Sequence, residues 1–471
     1  MTSSPTLHVV LSTPGEPVAV MLSPSPTEAS SSDRAALWIT YVNIVLYALC
    51  YQLQQPVEPF LVQALSVKNN DADAINKTYG QLNAFFSTIQ TIGSPLVGIL
   101  LDRVGIRYTS GLVFLASASS YAILARASDL NWLFLSKVPT ALQHAFLVAQ
   151  ATAATSTRGN AAARAQALGR MTTAYTIGAT IGPALGGYLV DTVGDLYLGA
   201  KLAVIGSLIS VVLSLFFLPN AQSSSESNDE PVTKRSFLQE LSNSAEIALR
   251  SNLWPLLMVK VIGGVSASMH TTALPLVLTQ KLHFEPSQLG LAMSSSMFAV
   301  AGFGAICMAP LTSFLGAAGM ARSGLTARAL LTTALATIVA ATSNNDVHSV
   351  MRVVVASVLY SLASHALATG LTTQTTGAVE KTEQGALLGL EHGLFSLARI
   401  GAPPLSAFLL SNGSGDLWHV AGVCSAIDLV LVGSLMFTRS ETMTFTALET
   451  MTESEIPEDG SWPSKDEEKS D

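Results

Sequence analysis

The stretch GRMTTAYTIGATIGPALGG (169–187) holds five glycines and one proline within apolar sequence, with no cluster of Asn, Asp or Ser to make a turn. In water each glycine inside a helix costs about 1 kcal/mol relative to alanine, so such a run would weaken a soluble helix. In lipid, small residues let two backbones approach closely and pack. Gly178, Gly182 and Gly186 recur every fourth residue and form a smooth ridge along one helical face. Pro183 has no N–H for the carbonyl of Ala179 and its ring crowds that carbonyl, so a bend is expected in this turn. The stretch reads as a membrane helix suited to press against a neighbour.

The rest of the chain agrees with that reading. Of 471 residues 49% are hydrophobic and only 12% charged, with a mean hydropathy of +0.44, whereas soluble domains carry about 25% charged residues. Apolar stretches long enough to cross a hydrocarbon core of about 30 Å recur along the chain. Twelve begin near Leu37, Leu82, Gly111, Trp132, Thr172, Leu196, Trp254, Leu289, Leu325, Val350, Leu387 and Leu417. Charges gather at the joints between them, and the short alternating segments of a membrane barrel are missing. The expected fold class is an all-α membrane protein of twelve transmembrane helices.

The net charge of -8 belongs to one tail: residues 440–471 contain ten Asp or Glu and two Lys, leaving 22 against 22 elsewhere. That tail (439–471) and the Ser/Thr/Pro-rich start (1–35) have too little apolar content to fold and are expected to be disordered. No signal peptide is expected, because VAVML is short for an apolar core and no basic residue precedes it. Cys50, Cys307 and Cys424 fall within spans and read as small apolar residues.

With a cytoplasmic N-terminus, fifteen Lys and Arg fall to the inner side, Arg322 and Arg328 among them, against six outside and three within spans. This excess predicts that both termini are cytoplasmic. The sequons at Asn76 and Asn412 then fall in outer loops. The longest polar interruption, 220–251, divides the chain into 36–219 and 252–438, six spans each, and spaces Phe237, Leu238, Leu241, Ala245 and Ala248 as a surface helix. LG, IGP and GDL at 168–196 recur as LG, IGAP and GDL at 388–417, pointing to duplicated six-helix bundles.

A second motif, GILLDRVGIR (98–107), follows the second span. Its Gly98, Asp102, Arg103, Gly105 and Arg107 resemble the loop signature of the major facilitator superfamily. Gly169, Gly178, Gly182, Pro183, Gly186 and Gly187 resemble the fifth-helix motif of that superfamily's drug-proton antiporters. The resemblance covers 36–438 and is greatest to the organic cation transporter-like members grouped with solute carrier family 22, then to tetracycline-efflux proteins. It implies a secondary transporter, not an enzyme. Such a protein exchanges a small organic solute, an organic cation or drug-like amphiphile, for protons by alternating access. It further implies that Asp102 and Arg103 latch the inner ends of the two bundles, Asp102 facing the helix that begins near Leu387, and that Gly98 allows close packing. The corresponding loop near TSFLGAAGMAR lacks the Asp, so the latch should be asymmetric. Where these antiporters carry an Arg in the fourth helix with a Gly four residues on, this chain has Lys137 and Ala141, which weakens the proton inference.

Ionisable residues within spans default to functional candidates because of their cost there. Lys137 and His144, seven apart, are expected on one helical face, as are Glu391 and Arg399, eight apart, either as an ion pair or in substrate and proton work. Glu58 is either hydrated at the outer interface or functional. Lys260 either snorkels to the inner surface or serves the path. Asp428 is either a proton carrier or the partner of a buried cation. His270 and His365 read as bundle histidines. No Walker loop, metal or nucleophile pattern is present, so no cofactor is expected and an ATP-driven pump is disfavoured. The expected partners are the solute, the coupling proton and the bilayer, with no nucleic acid. A non-transporting scaffold of the same fold that binds proteins is the alternative.

Overall fold

The computed structural model describes residues 31–66, 72–157, 161–219, 250, 253–342, 347–379, 384–412 and 417–437. The expected disordered ends lie outside these residues, apart from residues 31–35 at the start of the first helix. Nearly all of the central linker with its surface helix also lies outside them.

The described residues are helical, without a strand. In chain order they form α1 (Ser31–Gln52), α2 (Glu58–Leu65), α3 (Ala72–Val104), α4 (Ile106–Leu124), α5 (Leu130–Lys137), the 3-10 segment η1 (Val138–Leu142), α6 (Ala145–Ser156), α7 (Ala161–Val193) and α8 (Leu198–Phe217). There follow α9 (Trp254–Gln280), α10 (Pro286–Ile306), α11 (Met308–Ala341), α12 (Val347–Gly377), α13 (Gln384–Asn412) and α14 (Leu417–Phe437). Among the described residues nine helices are long and apolar enough to cross a membrane. The segment expected to begin near Trp132 is in three pieces, and Pro139 explains the break, since it supplies no N–H and its ring opposes a continuous turn.

Hydroxyls are tolerated in these helices because most bond their own backbone. Thr40, Thr88, Thr91, Ser117 and Thr152 each donate to the carbonyl four residues earlier, at 2.8–3.0 Å. Asn76 is 1% exposed within α3. Its expected place in an outer loop is overturned, because the helix starts before it, and in this fold it cannot serve as a glycan acceptor.

The helices pack as two sets with recurring pairings. In the first, α1 packs on α7 and α8, and α4 on α8; in the second, α9 packs on α13 and α14, and α11 on α14. Two glycines occupy matching joints. Gly105 between α3 and α4 has φ 84° and ψ 171°, and Gly316, at a kink within α11, has φ 67° and ψ 165°. This left-handed conformation is costly for any residue with a Cβ.

The sets meet through α3 against α13 and α7 against α10, at one end of the molecule. A Cβ on Gly80 would lie 2.8 Å from the Pro403 carbonyl oxygen, one on Gly187 2.1 Å from that of Pro286, and one on Gly290 2.2 Å from that of Pro183. The Ser294 hydroxyl accepts from the Ala184 amide at 2.8 Å, and Asp191 accepts from the Ser287 amide at 3.0 Å. Tyr79, Leu82, Val190, Leu289, Ala402 and Leu410 belong to one buried cluster that bridges the sets here. Toward the other end of the same four helices, a Cβ on Gly98, Gly169, Gly302 or Gly393 would meet open space.

Candidate functional site

The small-residue ridge of α7 faces its own set. A Cβ on Gly178 would fall 2.5 Å from the Val45 carbonyl oxygen, on Gly182 2.5 Å from the Gln52 Cβ, and on Gly186 2.2 Å from the Leu53 carbonyl oxygen. The ridge therefore seats α7 on α1, while Gly187 and the Pro183 carbonyl form the contact with the other set. Seating α7 this closely fixes the face of α1 that carries Tyr47 and Tyr51. Their rings stack at 6.4 Å, and Tyr51 continues onto Phe86 of α3 at 6.1 Å. Phe146 and Tyr175 meet edge to face at 6.4 Å.

Three ion pairs join the described helices at positions that bear on the site. Lys137 at the end of α5 donates to Glu58, the first residue of α2, and its ammonium stands 5.5 Å from the Phe86 ring centroid. Glu58 is 8% exposed, so the hydrated alternative is overturned: the carboxylate is enclosed and compensated by Lys137. Lys260 of α9 donates to Glu391 Oε2 of α13 at 2.5 Å and to Thr372 Oγ1 at 2.9 Å, while Thr375 donates to Glu391 Oε1 at 2.7 Å. Lys260 thus does not snorkel, and Glu391 is engaged by it instead of Arg399. This pair, with Leu257, Val261, Leu394 and Phe395, lines a cavity of about 320 Å³.

The third pair is the most enclosed. Arg328 of α11 donates through Nη2 to Asp428 Oδ1 at 2.7 Å and through Nε to Oδ2 at 3.1 Å, and Nη2 also meets the Gly263 carbonyl at 2.9 Å. Their side chains are 3% and 1% exposed. Asp428 is the partner of a buried cation. Arg328, counted above with the inner-side charges, is buried against Asp428 in the helix interior, which lowers that tally to fourteen. The Arg328 guanidinium stands 6.0 Å from the Tyr360 ring, which packs on His270 at 4.0 Å.

Lys137 and His144 do not share a helical face. The 3-10 segment between them is followed by Gln143 and His144, with ψ 55° and 57°, outside the helical region. A Cβ on Gly93 would overlap Ala141, and Gln90 donates to the Thr140 carbonyl at 2.9 Å, so α3 lies directly against this break.

Arg399 is exposed on α13, and Tyr47, Tyr51 and Tyr175 of the other set lie within range of its charge. The sequence reading missed these aromatics, although Tyr47 and Tyr51 are spaced one turn apart on α1.

Of the loop motif, Gly105 holds the positive-φ joint and Arg107 donates to the Leu215 carbonyl near the end of α8, where a cation complements the helix dipole. Asp102 and Arg103 are exposed in the last turn of α3.

The family model for the Major Facilitator Superfamily matches residues 40–276 and 256–449. Rat solute carrier family 22 member 18 is 26% identical over 402 residues, 84% of this chain and 92% of the relative. The mouse protein of that name is 28% identical over 273 residues, 56% of this chain and 64% of its own length. Multidrug resistance protein 1 of Bacillus subtilis is 22% identical over 84% of this chain and 95% of its own. Among solved structures, the human organic anion transporter MFSD10 (TETRAN) covers 86% of this chain and 100% of its own, at TM-score 0.60 and 18% identity. Nucleoside transporter NupG covers 87% and 100%, at TM-score 0.64 and 12% identity. With the family model spanning both helical sets, the chain belongs to the Major Facilitator Superfamily.

Proposed function

We propose that the chain is a secondary transporter that moves a small organic solute between its two helical sets by alternating access, in exchange for protons. The observation that carries this reading is the asymmetric contact. α3, α7, α10 and α13 touch at the Gly80, Gly187 and Gly290 end, whereas Gly98, Gly169, Gly302 and Gly393 toward the other end face open space, which we read as the parted end. A scaffold has no need of halves that part at one end around a charged and aromatic path.

In this reading 36–219 and 252–438 each cross the bilayer six times, joined by the 220–251 linker, with α5, η1 and α6 together making one crossing. The Lys and Arg bias puts both termini and the linker in the cytoplasm, so the separated end is cytoplasmic and the conformation is inward-facing. Asp102 and Arg103 form the inner latch when that end closes, and Gly98 and Gly169 then gain their close neighbours.

Proton exchange falls to the Lys137–Glu58 and Lys260–Glu391 pairs, since a proton delivered to either carboxylate removes the attraction that holds its lysine. The drug-exporting relatives support an amphiphilic solute. A cationic one, as the resemblance implied, would need a carboxylate open to the path, but Glu58, Glu391 and Asp428 each hold a cation of the protein. The test is solute flux in proteoliposomes with and without an imposed pH gradient. Gradient-dependent flux is expected, and its loss on neutralising Lys137 or Glu391 would tie it to these pairs.

A further inference from the structure

We propose that the transported solute is a neutral amphiphile, held through a hydrogen-bond acceptor such as a ketone or amide carbonyl in the cavity between α9, α12 and α13; this rests on the transporter reading above. The cavity, about 320 Å³, is built within the second helical set alone: Leu257, Lys260 and Val261 come from α9, Thr372 from α12, and Glu391 and Phe395 from α13. Small-molecule sites have volumes of about 300–1,000 Å³ and mostly apolar walls with a few convergent polar groups, and this cavity has both. Leu257 belongs to a buried cluster with Leu253 and Leu387 at the starts of α9 and α13, so hydrocarbon backs the cavity there. Phe395 Cδ2 and Cε2 lie 2.9 Å from where a Cβ on Gly264 would stand, so the lack of a side chain at Gly264 gives the ring its seat on α9. The ring is 42% exposed and offers an apolar face to the body of a ligand.

The polar lining decides the charge of the ligand and its hydrogen bonding. Lys260 and Glu391 carry one positive and one negative charge, which cancel. An ion entering the cavity would give up its hydration without gaining an opposite charge, so cations and anions are both disfavoured and a neutral body is accepted. The ammonium has three N–H donors. Two are spent, on Glu391 Oε2 at 2.5 Å and on Thr372 Oγ1 at 2.9 Å, and among the described residues no acceptor takes the third. Both oxygens of the carboxylate are engaged, since Thr375 donates to Oε1 while Lys260 holds Oε2. The carboxylate is also the more enclosed partner, its side chain 6% exposed against 21% for the lysine. The pair therefore shows the cavity a charged donor, and the ligand group that answers it is an acceptor.

The experiment uses probes of one shape: 2-acetylnaphthalene, its hydrocarbon isostere 2-isopropenylnaphthalene, (2-naphthyl)trimethylammonium and naphthalene-2-sulfonate. Binding to the purified full chain is measured by equilibrium dialysis against protein-free micelles of the same detergent. A hydrogen bond from a charged donor is worth roughly tenfold or more in affinity, so the ketone should bind at least about tenfold more tightly than each of the others. Lys260→Met combined with Glu391→Gln removes the donor without stranding the carboxylate, and the ketone should lose its advantage over the hydrocarbon; Lys260→Arg should keep part of it. Val261→Phe fills the cavity beside an intact pair and should weaken the ketone and the hydrocarbon alike. The comparison of probes on the parent chain needs no variant to fold, and monodisperse elution checks the variants. Hydrocarbon binding as tight as the ketone, tighter binding of either ion, ketone binding unchanged in Val261→Phe, or binding of none of the probes overturns the proposal. Transport is read in proteoliposomes as dissipation of an imposed pH gradient by each probe, since passive leak of the ketone carries no proton. The two readings fail separately. Dissipation by an ion but not by the ketone overturns the neutral assignment alone. Lys260-dependent ketone binding without dissipation by any probe overturns proton-coupled transport and leaves the site standing.

Discussion

Asp428→Asn tests whether the Arg328–Asp428 pair governs the stability of the second helical set. The change keeps the side-chain size but leaves the Arg328 guanidinium, 3% exposed, facing a neutral amide where it had two carboxylate oxygens at 2.7 and 3.1 Å. Stranding one member of a buried pair costs about 3–5 kcal/mol. For a folding unit of about 150–250 residues, 1 kcal/mol shifts Tm by about 2–4 °C, so the expected drop is roughly 6–20 °C. Replacing both residues, Arg328→Met with Asp428→Leu, removes both charges together with their desolvation cost and should return Tm to within about 4 °C of the parent. Thermal unfolding of the purified proteins in one detergent provides the comparison. A single variant within about 2 °C of the parent, or a double variant less stable than either single change, would refute the reasoning.

Gly182→Leu should lower stability by about 1–3 kcal/mol and reduce flux, because even a Cβ there meets Gln52 at 2.5 Å and α1 must move; Leu185→Ile, half-buried on the same helix, should be tolerated, and thermal unfolding with flux checks both. Cysteines placed at 225–230 should be labelled by a membrane-impermeant reagent only from the cytoplasmic side, and labelling confined to the outside would reverse the orientation. Lys201, in the first turn of α8, hydrogen-bonds Asp195 in the loop before it at 2.6 Å and holds its carboxyl below the usual carboxylate range. A depressed folded pKa adds stability above the unfolded pKa near 4 that is lost as pH falls through the folded value. Lys201→Gln should therefore cost under about 1 kcal/mol at pH 7, since the lysine is 53% exposed, and should flatten the acid limb of the stability profile.

The helices and their order were legible because apolar length and small-residue spacing are local properties of the chain. Gly105 was legible through its motif, and the α7 ridge through its repeat of four. Partner identity was not legible, because it depends on which helices become neighbours. Glu391 meets Lys260, 131 positions away, although Arg399 lies eight residues along the same helix. Arg328 was assigned to the inner side because its span was started near Leu325, whereas the helix continues without interruption from the kink at Gly316. A shared face for Lys137 and His144 requires an unbroken helix, which Pro139, two residues past the end of α5, interrupts, and Gly93 packs against Ala141 at the break.

Transport itself is tested most directly by uptake into proteoliposomes of three probes of one shape, naphthalene-2-sulfonate, (2-naphthyl)trimethylammonium and 2-naphthalenemethanol, with the vesicle interior made acidic, equal to the outside, or treated with a protonophore. The account predicts uptake of at least one of these probes that rises with the acid-inside gradient, collapses with the protonophore and is lost in Lys137→Gln. Correctly inserted protein that carries none of the probes, or carries them at a rate indifferent to the gradient, would contradict solute–proton exchange.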